Sequence, residues 1–249
     1  MALTDQQTQQ FNDTGYLSPL QVAEEAQADD WREKFDALEA QEGREQSQVG
    51  LHDRHFDQPF IWEIATRPEI LDAMESIIGP NILLLASQFF CKYGQGSKYV
   101  AWHQDVTYWG LEPPMATTAW YAVDRSDVEN GCMVVVPGTH SAGIQEHGKA
   151  DSEGNLLSIN QEVPVSEDDE AKADNLILDA GYMSIHHGML VHSSQPNRST
   201  RRRCGLVLRY TSPVVKQVRP NSVGARYQAV LVRGKDRPGN FGAIARPDF

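Results

Sequence analysis

The rhythm of apolar and polar positions changes once along this chain, near Pro80. Before it, apolar residues recur at intervals of three to five. Val22, Ala26, Trp31, Phe35 and Leu38 form one such series, which predicts an amphipathic helix within residues 20–42 that stops at Gly43. Ile70, Leu71, Met74, Ile77 and Ile78 form a second stripe. Pro68 suits its first position, where a missing N–H costs nothing, and Gly79-Pro80 closes it. Thr4 and Gln7 have the spacing of a capping box, so a short helix is expected to run from there to Gly15. Residues 60–65 start another helix. Residues 46–57 are polar, and their His52 and His55 are read as surface residues.

After Pro80 the apolar residues come in short, β-prone runs: 82–90, 100–103, 116–123, 133–136, 182–186 and 205–210, with a final strand expected at 228–232. Gly, Pro, Asn or Asp bounds each run, as in a β-sandwich or barrel. Two stretches interrupt the pattern. Residues 108–114 are aromatic and carry proline; residues 146–174 are acidic and read as a long surface excursion able to close over a site. Helices followed by strands give α+β content around a mainly β core. The expected layout is one domain over 1–249, with a helical flank at 1–80, a core at 81–213 and a C-terminal extension at 214–249.

Composition narrows the function. A length of 249 residues with 40% hydrophobic content suits one large globular domain, and a net charge of -12 argues against nucleic acid or an anionic membrane as partner. No apolar run approaches membrane-spanning length, and residues 1–5 do not begin a signal peptide. Cys91, Cys132 and Cys204 sit in apolar runs without CxxC spacing, which reads as buried free thiols in a reducing compartment. A cytoplasmic protein acting on a small molecule is the expectation.

Candidate chemistry begins at Trp102-His103-Gln104-Asp105. Residues i and i+2 of a strand share a face, so His103 and Asp105 can converge on one point. His192 supplies a second imidazole from the strand-rich half, and two His with one carboxylate are the ligand pattern of non-haem Fe(II) oxygenases. Arg203 opens the apolar strand that follows Arg201 and Arg202. An arginine facing an apolar interior needs an anionic partner, and its planar fork fits a carboxylate, so Arg203 is the candidate anchor for an acid cosubstrate. A one-residue slip in register would select Arg202 instead. Gln88 shares strand parity with Lys92 and is read as a cosubstrate-pocket residue. Tyr108 and Trp109, just after the metal pair, line a substrate pocket or pack in the core. His186 and His187 lie too near His192 for all three to be ligands; His186 is kept as a candidate substrate contact. His140 reads as structural.

Together the stretches Trp102-His103-Gln104-Asp105, Glu129-Asn130-Gly131-Cys132, Val136-Pro137-Gly138-Thr139-His140 and His192-Ser193-Ser194-Gln195-Pro196-Asn197, leading to Arg203, resemble the phytanoyl-CoA dioxygenase family of Fe(II)- and 2-oxoglutarate-dependent oxygenases. The opening Leu3-Thr4-Asp5-Gln6-Gln7, with Phe11 and Gly15-Tyr16-Leu17, is similar as well. The resemblance implies a cupin-like double-stranded β-helix, or jelly roll, with flanking N-terminal helices. It implies Fe(II) on His103, Asp105 and His192, 2-oxoglutarate on Arg203, O2 as cosubstrate, and Lys92 and Trp120 beside the cosubstrate. The implied reaction is hydroxylation of a small organic molecule with release of succinate and CO2. Two other readings stay open: a metal-dependent hydrolase or isomerase on a cupin-like barrel, and a non-catalytic ligand-binding barrel.

Overall fold

The computed structural model describes residues 2–150, 153–157 and 161–249, leaving aside the side chain of Gln161. Six helices occur among them: α1 (Asp5–Thr14), α2 (Glu25–Glu42), α3 (Arg44–Val49), α4 (Pro59–Ala65), α5 (Pro68–Ile78) and the short α6 (Glu167–Glu170). The strands are β1 (Tyr16–Gln21), β2 (Ile82–Lys92), β3 (Val100–His103), β4 (Leu111–Glu112), β5 (Thr117–Ala122), β6 (Met133–Val135), β7 (Gly148–Lys149), β8 (Gln161–Glu162), β9 (Asp174–Leu176), β10 (Tyr182–His187), β11 (His192–Ser194), β12 (Arg203–Thr211), β13 (Lys216–Gln217) and β14 (Val230–Arg233).

Two antiparallel sheets dominate. The larger runs β1-β10-β5-β12-β2-β14 and the smaller β3-β11-β6-β9. The larger sheet is covered on both faces, which is why β2 is buried along nearly its whole length and its mostly apolar sequence does not alternate. On its outer face Phe89, Cys91, Ala119, Tyr121, Leu206 and Leu208 pack beneath the helices. Phe35 of α2 meets Phe89 with ring centroids 4.5 Å apart, and Trp31 meets Tyr121 edge-on at 5.7 Å. Burying each such ring contributes about 1.5–3 kcal/mol, so α2 is held by its aromatic stripe more than by helix propensity. On the inner face Trp120, Ala122 and Val207 join Met133, Val135 and Leu176 of the smaller sheet in a second core cluster. The functional side chains lie between these two sheets.

Local chemistry explains the helix boundaries. Thr4 and Gln7 form the expected capping box, and Gly15 ends α1 in the left-handed region at φ 83°. Pro68 occupies the first turn of α5. Four expectations need correction. The helix within 20–42 begins only at Glu25, because residues 16–21 form edge strand β1 against β10. The polar stretch 46–57 overlaps helix α3 and a turn of 3-10 helix at Arg54–Phe56. His55 is fully buried, with Nδ1 2.8 Å from Ser87 Oγ. The excursion at 146–174 carries the β7–β8 ribbon and α6, although part of it lies outside the described residues.

The three cysteines are free and buried. Beyond residue 213, β14 pairs with β2 and becomes an edge of the larger sheet. No helix among the described residues is long and apolar enough to cross a membrane.

Candidate metal centre and its two cavities

His103 ends β3 and His192 begins β11, and the two are direct partners in the antiparallel ladder. Their rings are 4.1 Å apart between centroids. Asp105 lies just past the strand, at the start of a 3-10 turn, but intervening Gln104 is extended at φ -118°, ψ 129°. The alternation of a strand therefore carries through Gln104, and His103 and Asp105 turn to the same side. One ligand atom from each of His103, Asp105 and His192 can be chosen so that all lie within 4.8 Å of one another.

The imidazoles are preset for a cation. His103 donates its Nδ1–H to the Ala101 carbonyl and His192 to that of Leu190, each at 2.9 Å, leaving both Nε2 lone pairs free. Asp105 Oδ1 lies 3.7 Å from His103 Nε2, and Oδ2 accepts a bond from Thr118 Oγ1 at 3.2 Å. Burial works to raise the Asp105 carboxyl, but the neighbouring imidazoles of His103, His186 and His192 and the charge of Arg209 draw it well below the usual carboxylate range. Burial lowers His192, and neighbouring imidazoles lower it further, so it remains neutral as a ligand must. Gln104 fixes the turn between His103 and Asp105. It is buried, donates to the carbonyls of Gly143 and Met189 at 2.9 and 2.7 Å, and accepts from Gln145 N at 2.8 Å.

A small inner cavity of about 50 Å³ adjoins these three residues, bordered also by Trp120, His186, Arg203 and Arg209. Its far wall is built around Arg203, which is 2% exposed. The guanidinium stacks 4.9 Å over the Trp120 ring and donates from Nε to the Gly131 carbonyl at 3.0 Å. Two glycines make this possible. A Cβ on Gly205 would lie 2.0 Å from the Trp120 ring, and Gly131 sits at φ 78° against Gln195 O, where a Cβ would approach to 2.2 Å. Burial lowers Arg203 to about 10.

Arg202 points the other way, into Asp124, Asp36 and Glu39 at 2.7–3.0 Å. Lys92 pairs with Arg203 in the ladder, yet its amine is held by Ser194 O, Ser194 Oγ and Gln195 O at 2.5–3.1 Å and does not border the inner cavity. Burial, and then the Arg203 charge, pull it well below the usual lysine range.

A larger outer cavity of about 510 Å³ shares Phe90, His103, Asp105 and Arg209 with the inner one. Gln88, Tyr108 and Trp109 line this outer space, not the inner one. Gln88 donates to the Val49 carbonyl and accepts from Arg209; Trp109 also belongs to a core cluster, so both of its expected roles coincide. His186 is in the inner cavity, with Nε2 3.6 Å from Asp105 Oδ2 and neither ring nitrogen hydrogen-bonded. The structure thus brings together His103, Asp105, His192, His186, Trp120 and Arg203, and sets Gln88, Tyr108 and Trp109 one chamber further out. Arg209, Thr118 and Gln104 were not singled out from sequence. Strand parity with Arg203 was the available signal for Arg209, six residues along β12.

The family model for phytanoyl-CoA dioxygenase (PhyH) matches residues 2–205. The chain belongs to that family. Among curated relatives, the peroxisomal phytanoyl-CoA dioxygenase of Bos taurus is 30% identical over 143 residues, covering 56% of this chain and 42% of the relative. The chain spans less than half the length of the mammalian PhyH proteins it matches. Among solved structures, the apo form of the non-heme monooxygenase ThoJ superposes with a TM-score of 0.77 at 27% identity, covering 97% of this chain and 88% of that one. CytC3 with Fe(II) and alpha-ketoglutarate gives 0.71 at 25% identity, covering 98% and 93%. The PhyH match ends just past Arg203, so β14 and most of β12 lie beyond it.

Proposed function

We propose that the chain is a non-haem Fe(II)- and 2-oxoglutarate-dependent dioxygenase that hydroxylates a small organic molecule and releases succinate and CO2. The observation that carries this reading is one buried space with a two-His, one-carboxylate cluster at one end and Arg203, which among the described residues pairs with no carboxylate, at the other. The donor set fits iron: two imidazoles with free Nε2 atoms and one carboxylate, meeting on one side and leaving further positions open. His103, Asp105 and His192 would hold the metal, which when bound supplies oxygen activation coupled to decarboxylation of the 2-oxo acid.

The rest is the work of the chain. Arg203 takes the distant carboxylate of 2-oxoglutarate in a fork of charge-assisted hydrogen bonds, and Trp120 keeps that guanidinium planar to the pocket wall. Thr118 holds one Asp105 oxygen and turns the other toward the metal. Lys92 fixes the end of β11 through Ser194, and so the position of His192. The narrow inner cavity excludes water, and the outer one places the substrate bond.

The two facing antiparallel sheets support a double-stranded β-helix, and β14 joining the larger sheet supports one domain over 1–249. The free cysteines support a cytoplasmic location. The test is metal analysis with a succinate assay under Fe(II), 2-oxoglutarate and air. Slow succinate formation, abolished in His192→Ala, is expected. Tightly held zinc with no succinate under any condition would favour the hydrolase or isomerase reading.

A further inference from the structure

Arg209 has no role in that scheme. It shares the inward face of β12 with Arg203, Gly205 and Val207, six residues and about 20 Å along the strand from Arg203. Its ladder partner Thr118 bonds Asp105, so the metal cluster lies near the Arg209 end of this row. Arg203 closes the inner cavity; Arg209 stands where the inner cavity meets the outer one.

Its charge acts on Asp105 and Asp53 from a distance but has no direct carboxylate partner. Both terminal nitrogens donate to a single neutral acceptor, Gln88 Oε1, at 3.2 Å. Nε is buried without a partner. The guanidinium lies 5.2 Å over the Trp109 ring. Among the described residues no carboxylate is within ion-pair distance of it. Asp105 belongs to the metal cluster, and Asp53, which also borders the outer cavity, spends Oδ1 on the Ser87 N–H at 3.0 Å. Of the other cations there, Arg226 is exposed and donates to the Gln217 carbonyl. A cation at the junction of two cavities, held in place by an amide and an indole, matches an anionic ligand that enters from the outer side.

We propose that Arg209 anchors the primary substrate and that this substrate is an organic acid, its carboxylate docked on Arg209 beside Trp109. The inference rests on the oxygenase reading above, because it takes the inner cavity to be filled by 2-oxoglutarate on Arg203. In that arrangement the acid group fixes one end of the molecule at the junction, and the carbon to be oxidised lies within a few bonds of it, toward the metal.

The test uses the full chain saturated with Fe(II) and 2-oxoglutarate without oxygen, and matched probes that differ only in charge: phenylacetate against phenylacetamide, and hexanoate against hexanamide. Calorimetry or Trp fluorescence, to which Trp109 contributes, reads the affinities. The acid of each pair should bind at least about tenfold more tightly than its amide. Arg209→Met should erase that preference and Arg209→Lys should keep part of it, since an ammonium has charge but no fork. An absence of acid preference in the wild type in both pairs would overturn the proposal with no variant needed. So would an undiminished preference in Arg209→Met, or loss of 2-oxoglutarate binding in Arg209→Met while Arg203→Ala keeps it. A wild type that fails to take up Fe(II) and 2-oxoglutarate at all would instead overturn the oxygenase reading.

Discussion

The outer surface around the helical layer and the cavity between the sheets treat positive charge in opposite ways. Outside, guanidiniums are matched by carboxylates: Arg202 by Asp124, Asp36 and Glu39, Arg54 by Glu42 and Asp57, and Arg233 by Asp72 and Glu75. Inside, among the described residues, Lys92, Arg203 and Arg209 hydrogen-bond only to carbonyls, a hydroxyl and an amide, and the two guanidiniums also lie over the Trp120 and Trp109 rings. Lys92 and Arg203 are buried and Arg209 is half-buried, as Arg202 is, so greater exposure to solvent does not explain the difference. Charges placed in low dielectric without counter-charges make a site for anions. Outer arginines contribute to stability, and inner ones are available for ligands.

The largest expected effect falls on the acidic member of the interior. Asp105→Ala, His103→Ala or His192→Ala should each remove stoichiometric iron and lower succinate formation by at least about a thousandfold, while circular dichroism and thermal midpoint change little. Metal analysis by mass spectrometry checks this. Full activity in any of the three would dissolve the interior half of the contrast.

Next is a difference between adjacent residues. Among the described residues Arg202→Ala leaves Asp124 with only the Cys204 N–H as a hydrogen-bond partner, and it should cost on the order of 1–3 kcal/mol, or about 2–4 °C of melting temperature per kcal/mol. Its 2-oxoglutarate affinity should stay within about twofold of wild type. Thermal and denaturant unfolding of the two variants would sharpen the contrast; a larger stability loss in Arg203→Ala than in Arg202→Ala would blur it.

The smallest effect under ordinary conditions concerns His55, beneath the helical layer. Burial lowers it to about 4, with Asp57 acting weakly the other way. The unfolded chain binds a proton near pH 6.5 and the folded one only near 4. The stabilisation is therefore complete above about pH 6.5 and is lost as pH falls toward 4, by up to roughly 3 kcal/mol. His55→Gln should flatten that part of the stability profile, measured by urea unfolding between pH 4.5 and about 7.

The same physical distinctions explain what could be read from sequence. Long β2 and β12, helices with a clear stripe, and motif residues His103, Asp105, His192 and Arg203 were legible because periodicity or ligand spacing marks them. β1 was not, since Pro19 sits inside it and an edge strand tolerates what a central one does not. β9 and β11 are three residues each, too short to show alternation. His55 sits in a polar stretch, and its buried hydrogen-bond partner Ser87 lies 32 positions away. Arg209 escaped notice although its parity with Arg203 put it on the same face; no local motif marks it. Lys92 and Gln88 share a strand face, but which cavity each reaches depends on side-chain partners from other elements.

On the proposed function, one buried space binds Fe(II) at His103, Asp105 and His192 and a dicarboxylate at Arg203. The most direct measurement is an anaerobic titration of the Fe(II)-loaded protein with 2-oxoglutarate, following the visible charge-transfer absorption of the chelated 2-oxo acid. Wild type and Arg202→Ala should saturate at similar concentrations. Arg203→Ala should need at least about tenfold more, the equivalent of 1.4 kcal/mol, and His192→Ala should give no band. No band in the wild type, or a shift in Arg202→Ala with none in Arg203→Ala, would contradict the account.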